Sequence, residues 1–458
     1  MNKDILYKKE TVYKKAGKSV VDAAFAYAEG YKEFLDSAKT EREAVKTTLK
    51  MLESRNFREY KFGDKIQKGD RLYYNNRGKN LFIFTIGDDG AKNGLRITAS
   101  HIDAPRIDLK QCPLYEDGGL GFFKTHYYGG IRKYQWVATP LALHGVVITK
   151  DGSAIDVCIG EDDSDPIFYI TDLLPHLGRE QAKLPLSDAI KGEQLNVLVG
   201  NMPEDEDDSV KSAVMTLINE KHGITEEDFF SSELCVVPAA KARDIGFDRS
   251  LIGSYGHDDR VCAYPSLTAM FDSLDAGNAH SLMCILADKE ETGSDGVSGM
   301  QSDLMLDIIN SIAEAMKISA PMLRANSKCL SADVSACFDP NFPEVFEKLN
   351  SAFMGCGTIF TKYTGGGGKS STNDANPEFI AWLRAAMEKD GVIWQSAELG
   401  KVDAGGGGTV AKYIAKHNIE TIDLGVPVLA MHAPYEVVSK VDVYETHRAI
   451  KAFYNFDR

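Results

Sequence analysis

Two adjacent glutamates, Glu290 and Glu291 in ILADKEETGSDG, can divide proton transfer and metal ligation between them if they sit where a strand ends. Alone, the pair reads as well as a solvated acidic dipeptide. Four other segments carry His or Asp in settings that suit a metal: SHIDAPRID with His101 and Asp103, GHDDR with Asp258 and Asp259, SADVS with Asp333, and MHAPYE with His432. Each has a plain reading of its own: a satisfied structural histidine, a strand-end aspartate, a loop ion pair. Jointly, His101, Asp258, Glu291, Asp333 and His432 supply imidazoles and carboxylates enough for two divalent ions if one carboxylate bridges. Two metals about 3.5–4 Å apart hold and acidify a water and polarise the carbonyl it attacks. A carboxylate has two oxygens to share where a neutral imidazole offers one lone pair, so Asp258 is the expected bridge. Glu290 is then the general base and Glu291 a ligand. Asp103, otherwise a cap or turn residue, is placed to accept the second ring proton of His101 and fix its tautomer.

Neighbours on a strand point to opposite faces, so both glutamates serve one centre only where the chain turns. Thr292, Gly293 and Ser294 permit that turn. The elements around them follow from periodicity. Apolar residues at helical spacing over 19–54 predict one or two amphipathic helices. The runs 81–86 and 95–99, separated by DDGAKNG, read as paired strands, with His101 just past the second. From SLMCILAD onward, strands alternate with helices near 304–316 and 377–387, ending in TIDLGVPVLAMH, which predicts a layered α/β sheet. Asp333, His432 and the two glutamates all fall at strand ends on one edge, where open α/β sheets bind ligands. Between them, 111–245 changes to short β-like stretches such as LALHGVVIT and GSAIDVCIG and an acidic run, PEDEDD. This reads as an inserted domain, leaving 1–110 and 246–458 as one discontinuous domain.

The composition narrows the function. At 458 residues the chain exceeds one ordinary core. A net charge of −15 opposes general binding to nucleic acid or anionic membranes. No apolar run approaches the roughly 20 residues that span a bilayer, and the polar start is unlike a signal peptide, so a cytoplasmic protein is expected. The 8 cysteines form no CxxC pair, which favours reduced thiols and an imidazole–carboxylate metal site suited to zinc, cobalt or manganese. GGGGKSS imitates a phosphate loop, but Tyr363 stands where its first glycine belongs, so a nucleotide-dependent enzyme is disfavoured.

The segments SHIDAPR, the DDR of GHDDR, DKEETGSDG, SADVSACFDPNF and DLGVPVLAMHAPYE resemble the aspartyl aminopeptidase family of dinuclear zinc aminopeptidases, related to the tetrahedral aminopeptidases, over nearly the whole chain. The resemblance implies a mixed-sheet, three-layer α/β zinc-peptidase domain with an inserted β-rich dimerisation domain. It implies His101, Asp258, Glu291, Asp333 and His432 as ligands, Glu290 as base, and a tetrahedral dodecamer built from dimers. His176 in ITDLLPHLGRE looks like the insertion histidine that reaches a neighbouring subunit's active site; a surface loop is its other reading. Peptides with acidic N-terminal residues are the implied substrates, with Lys362 or Lys369 available to pair with their carboxylate. The match is looser in that Gly-rich stretch, which leaves neutral specificity open. Gly407 and Gly408 in DAGGGGTV resemble the family's substrate loop, where glycine lets the backbone approach a peptide. The rival reading is another dinuclear hydrolase of the same broad clan, a carboxypeptidase or amide deacylase.

Overall fold

Every residue of Ser281–Ala287 is buried, and a strand buried on both faces must lie inside a sheet with layers on either side. A computed structural model of the chain, which describes residues 5–203, 209–277 and 279–457, places it there. Residues 204–208, within the acidic run read as part of the insertion, lie outside the described set.

By internal contacts the chain divides into two units. The first runs up to Asp103, over Ala242–Met431 and onward from Glu436. Its framework comprises helices α1 (Lys18–Ser37) and α2 (Glu41–Glu53), strands β1 (Arg71–Asn76), β2 (Asn80–Thr85) and β3 (Leu95–His101), helix α3 (His257–Asp275), strand β4 (Ser281–Ala287), helix α4 (Leu304–Met316), strands β5 (Lys328–Ala332) and β6 (Thr358–Thr361), helix α5 (Pro377–Lys389), strand β7 (Glu420–Gly425) and helix α6 (Lys440–Asn455). Among the described residues the main sheet is nine-stranded, ordered Arg58–Glu59, β1, β2, β4, β3, β5, β7, β6, Trp394–Ser396.

Alternate side chains of each central strand serve opposite cores. Leu81, Ile83, Leu282 and Cys284 pack with Phe34, Leu267, Trp382 and Phe453 of α1, α3, α5 and α6. Phe82, Phe84, Met283 and Ile285 pack with Met305, Ile308 and Ile312 of α4. The result is three layers, helices on both faces of a mixed sheet. Truncating a fully buried residue such as Ile285 to alanine costs about 2–5 kcal/mol. The 19–54 stretch is two helices, and α2 begins at a capping box in which Thr40 and Glu43 satisfy each other's backbone N–H.

The expected pairing of the 81–86 and 95–99 strands is wrong. β4 lies between them, antiparallel to β2 and parallel to β3. Both strands are buried almost throughout, and a hairpin between them would compete with this third strand that covers both. The turn chemistry of DDGAKNG marked the bend correctly but did not choose the partner.

The second unit, Ala104–Lys241 with His432–Tyr435, compares with the expected 111–245. Its seven-stranded sheet, counted among the described residues, is antiparallel. Ser232–Pro238 pairs with both Arg106–Asp117 and Pro140–Ile148, so six of the strands close on themselves, and Ala154–Ile159 pairs with Pro140–Ile148 alone. LALHGVVIT and GSAIDVCIG form neighbouring antiparallel strands there.

Candidate metal centre

The carboxyl ends of three adjacent parallel strands carry the chemistry. β4, β3 and β5 run parallel, with Ala287 registered against His101 and Ser331 against Ala99. His101 therefore ends the middle strand. Asp333 follows β5 on one side, and Asp288, Glu290 and Glu291 follow β4 on the other. Asp258 and Asp259 occupy the first turn of α3, where both depart from helical dihedrals.

These placements converge. His101 Nε2 lies 3.0 Å from Asp258 Oδ1 and 3.9 Å from Asp333 Oδ1, and one ligand atom from each of the three falls within 4.8 Å of the others. The other ring nitrogen, Nδ1, lies 3.0 Å from the Asp103 carbonyl and 3.3 Å from its Oδ1. An N–H at Nδ1 leaves the Nε2 lone pair facing the two aspartates, the tautomer a metal ligand needs. The Asp103 carboxylate also accepts the backbone N–H groups of Glu290 and Glu291, each at 3.2 Å. Both glutamates sit on a 3₁₀ turn, Glu290–Thr292, flanked by left-handed Lys289 and Gly293, so the chain does turn immediately after the strand.

The electrostatics call for a cation. Burial alone would lower the His101 pKa, but hydrogen bonds and charge from Asp103 and Asp258 raise it well above the usual imidazole value. Burial pushes the Asp333 carboxyl well above the ordinary carboxylate range, helped by Asp259, Asp258 and Glu290 against the opposing influence of His101. Burial does the same to Asp259, with Asp258 adding to it. Carboxylates crowded at low dielectric around one imidazole are relieved by a divalent ion. The nitrogen and oxygen donors suit zinc.

Some contributors had no assigned role in the sequence. Glu436, buried, accepts the backbone N–H of Asp258 at 3.1 Å. It is the final residue of MHAPYE, so the signal was present. His257, the residue before Asp258, is held at both ring nitrogens: its Nε2 lies 3.2 Å from the Ile252 carbonyl and its Nδ1 2.7 Å from the Tyr31 hydroxyl. A carbonyl only accepts, so Nε2 carries the proton and Tyr31 donates to Nδ1.

His432 is counted with the second unit, three residues beyond the strand Pro427–Leu429, and its Nδ1 donates to the Gly130 carbonyl at 2.9 Å, so in the neutral ring Nε2 carries the lone pair. His176 is exposed in the second unit. Lys362 and Lys369 both reach Asp374, the latter at 3.1 Å, and the Lys369 ammonium stands 3.7 Å above the Tyr363 ring. Substrate would have to compete with Asp374 for either. In the Gly-rich loop the demand for glycine falls elsewhere than on Gly407 and Gly408. A Cβ on Gly405 would lie 2.1 Å from the Leu399 carbonyl and one on Gly406 2.3 Å from Gly366 Cα, whereas Gly407 faces open space.

Residues 34–454 match the family described as aminopeptidase I zinc metalloprotease (M18). The chain is 48% identical, over 99% of its length and 100% of the relative's, to a probable M18 family aminopeptidase 1 of Clostridium acetobutylicum. Its structure is similar to that of an M18 aminopeptidase from Thermotoga maritima, with a TM-score of 0.92 at 41% identity, covering 98% of this chain and 100% of that one. The yeast mApe1 dodecamer shares the fold at 20% identity with a TM-score of 0.77, over 95% of this chain and 97% of that one.

Proposed function

The chain belongs to the aminopeptidase I zinc metalloprotease (M18) family and is an aminopeptidase, and from that premise we propose that it removes N-terminal residues, preferably acidic ones, with Glu290 as general base in a centre for two metal ions. The observation that carries this reading is the meeting of His101, Asp258 and Asp333 at the strand ends beside the turn that bears Glu290. Those three residues fit one ion. The family resemblance adds Glu291 and His432 as further ligands, with Asp258 bridging. Zinc, when bound, supplies Lewis-acid polarisation of the scissile carbonyl and acidification of the attacking water.

The chain's own groups do the rest. Glu290 is partly exposed, so its carboxylate can meet water, and its charge is felt at Asp333. It takes the proton from the attacking water and delivers it to the leaving amine. Asp103 keeps His101 in the ligating tautomer and fixes the Glu290 backbone with the same carboxylate. Lys362 or Lys369 supplies the positive charge for an acidic substrate residue, in exchange with Asp374.

Assembly into a tetrahedral dodecamer, with the second unit forming the dimers and His176 reaching a neighbouring copy, is part of the same proposal. Leu173, Leu174, Leu177, Leu184 and Leu186 are 45–69% exposed on that unit, an apolar surface suited to another subunit. Among the described residues no helix is long and apolar enough to cross a membrane, and the cysteines are free thiols, which supports a cytoplasmic enzyme.

The test is a panel of N-terminal aminoacyl anilides, run on metal-free protein and after restoring zinc, cobalt or manganese. Zinc-restored cleavage with Asp and Glu leading supports the proposal. Cleavage led by neutral residues overturns the acidic preference, and full activity at one ion per subunit overturns the second metal.

A further inference from the structure

The turn that carries Glu290 and Glu291 is gripped at two places. Asp103 holds its near end. The residues that flank it, Asp288 before and 297–298 after, are held by the tip of the β1–β2 hairpin, where Arg77 and Gly78 take φ of 58° and 68° and turn the chain tightly. On either side of that tip, the buried Asn76 and Asn80 amides donate to the backbone carbonyls of Val297 and Ser298, at 2.8 Å and 2.7 Å. Ser298 in turn donates from its hydroxyl to Asp288 Oδ2 at 2.5 Å, and Asp288 begins the turn. Between the asparagines, the buried Lys79 ammonium pairs with Glu41 at the start of α2 and stands 3.9 Å from the same Asp288 oxygen. An ammonium is buried only where carboxylates compensate for its lost hydration, so Lys79 ties the tip to Asp288.

We propose that Lys79, Asn76 and Asn80 form a positioning clamp for the Glu290–Glu291 turn, fixing from the hairpin tip the segment that presents the base. The inference rests on the assignment of Glu290 and Glu291 above. The clamp touches no substrate and acts through the backbone of 297–298 and the side chain of Asp288. Its value lies in rigidity, because a general base displaced by about 1 Å loses on the order of a hundredfold in rate.

Lys79→Met leaves Glu41 and Asp288 buried without that cation and can prevent folding, so the test uses the full-length Asn76→Ala and Asn80→Ala variants and their combination. Three quantities are measured: hydrogen exchange across 288–301, zinc affinity, and kcat and KM at saturating zinc on the aminoacyl anilide the wild type cleaves best. The clamp predicts exchange at least tenfold faster, confined to 288–301, zinc binding weakened severalfold, and kcat at least tenfold lower with KM within twofold. Unchanged exchange in 288–301 overturns it. So does kcat that stays normal per zinc-loaded subunit while thermal stability falls, which is the mark of a merely structural role. If the wild type cleaves no aminoacyl anilide, the proposed activity fails separately. Exchange and zinc affinity then decide the clamp: unchanged values overturn it, and the local loosening sustains it.

Discussion

The Asp103 carboxylate accepts the backbone N–H of Glu290 at 3.2 Å. One side chain thus links the strand that ends in His101 to the turn that presents Glu290 and Glu291. Its second oxygen accepts the Glu291 N–H at 3.2 Å, so Asp103 fixes both glutamates while facing the His101 ring. Asn in its place has one accepting oxygen, and its amide nitrogen would face a backbone N–H. Asp103→Asn is expected to weaken zinc binding about 10–100-fold, the usual cost of losing such support for a ligand. Competition with a chromogenic chelator measures it; an unchanged affinity would remove Asp103 from this role.

The two glutamates separate by readout. Glu290→Gln is expected to lower kcat by about 10²–10⁴ with zinc content intact, and Glu291→Gln to lower zinc content first. Metal analysis beside steady-state kinetics distinguishes them, and reversal of the two outcomes would exchange the roles.

Zinc affinity follows pH. In the metal-free chain, burial opposes charging of His101, but Asp103 and Asp258 raise its pKa well above 6.5, and burial raises Asp333 well above 3.8. Each must lose its proton to ligate, so binding releases protons and affinity rises with pH through neutrality. Calorimetry of zinc binding in buffers of different ionisation enthalpy counts those protons. A count of zero at pH 7 would contradict the protonated resting state.

Acid stability carries the signature of a different histidine. Burial lowers the His257 pKa from 6.5 to about 3. The folded state thus binds fewer protons than the unfolded chain across that window. His257 contributes stability fully above pH 6.5, and the contribution is lost as pH falls towards about 3. The expected slope is about 1.4 kcal/mol per pH unit for the one proton. Urea unfolding of the wild type and His257→Gln from pH 7 to pH 4 should show the variant less steep by roughly that amount; parallel slopes would place His257 outside the linkage.

Much of the centre was legible because its pieces are local. A histidine two residues before an aspartate, paired glutamates before a Thr-Gly-Ser turn, and an aspartate after an apolar run state their side-chain chemistry and their place at strand ends without reference to neighbours. Helices over 19–54, 304–316 and 377–387 were legible for the same reason, since helical hydrogen bonds and apolar spacing are local.

Strand pairing is not local, and there the tertiary structure decided. DDGAKNG promised a hairpin, yet β4 separates β2 from β3, and that insertion sets Ala287 against His101 and brings Glu290 within reach of Asp103. Backbone N–H and C=O groups are the same in every residue, so which strand fills the gap depends on how both faces of the finished sheet are covered. The same holds for the capture of Lys362 and Lys369 by Asp374, for Glu436 beneath Asp258, and for the hairpin tip against 297–298. The sequence by itself determined which groups could bind metal and move protons. Only the fold decided which of them meet, because distance between residues far apart in the chain is a property of packing.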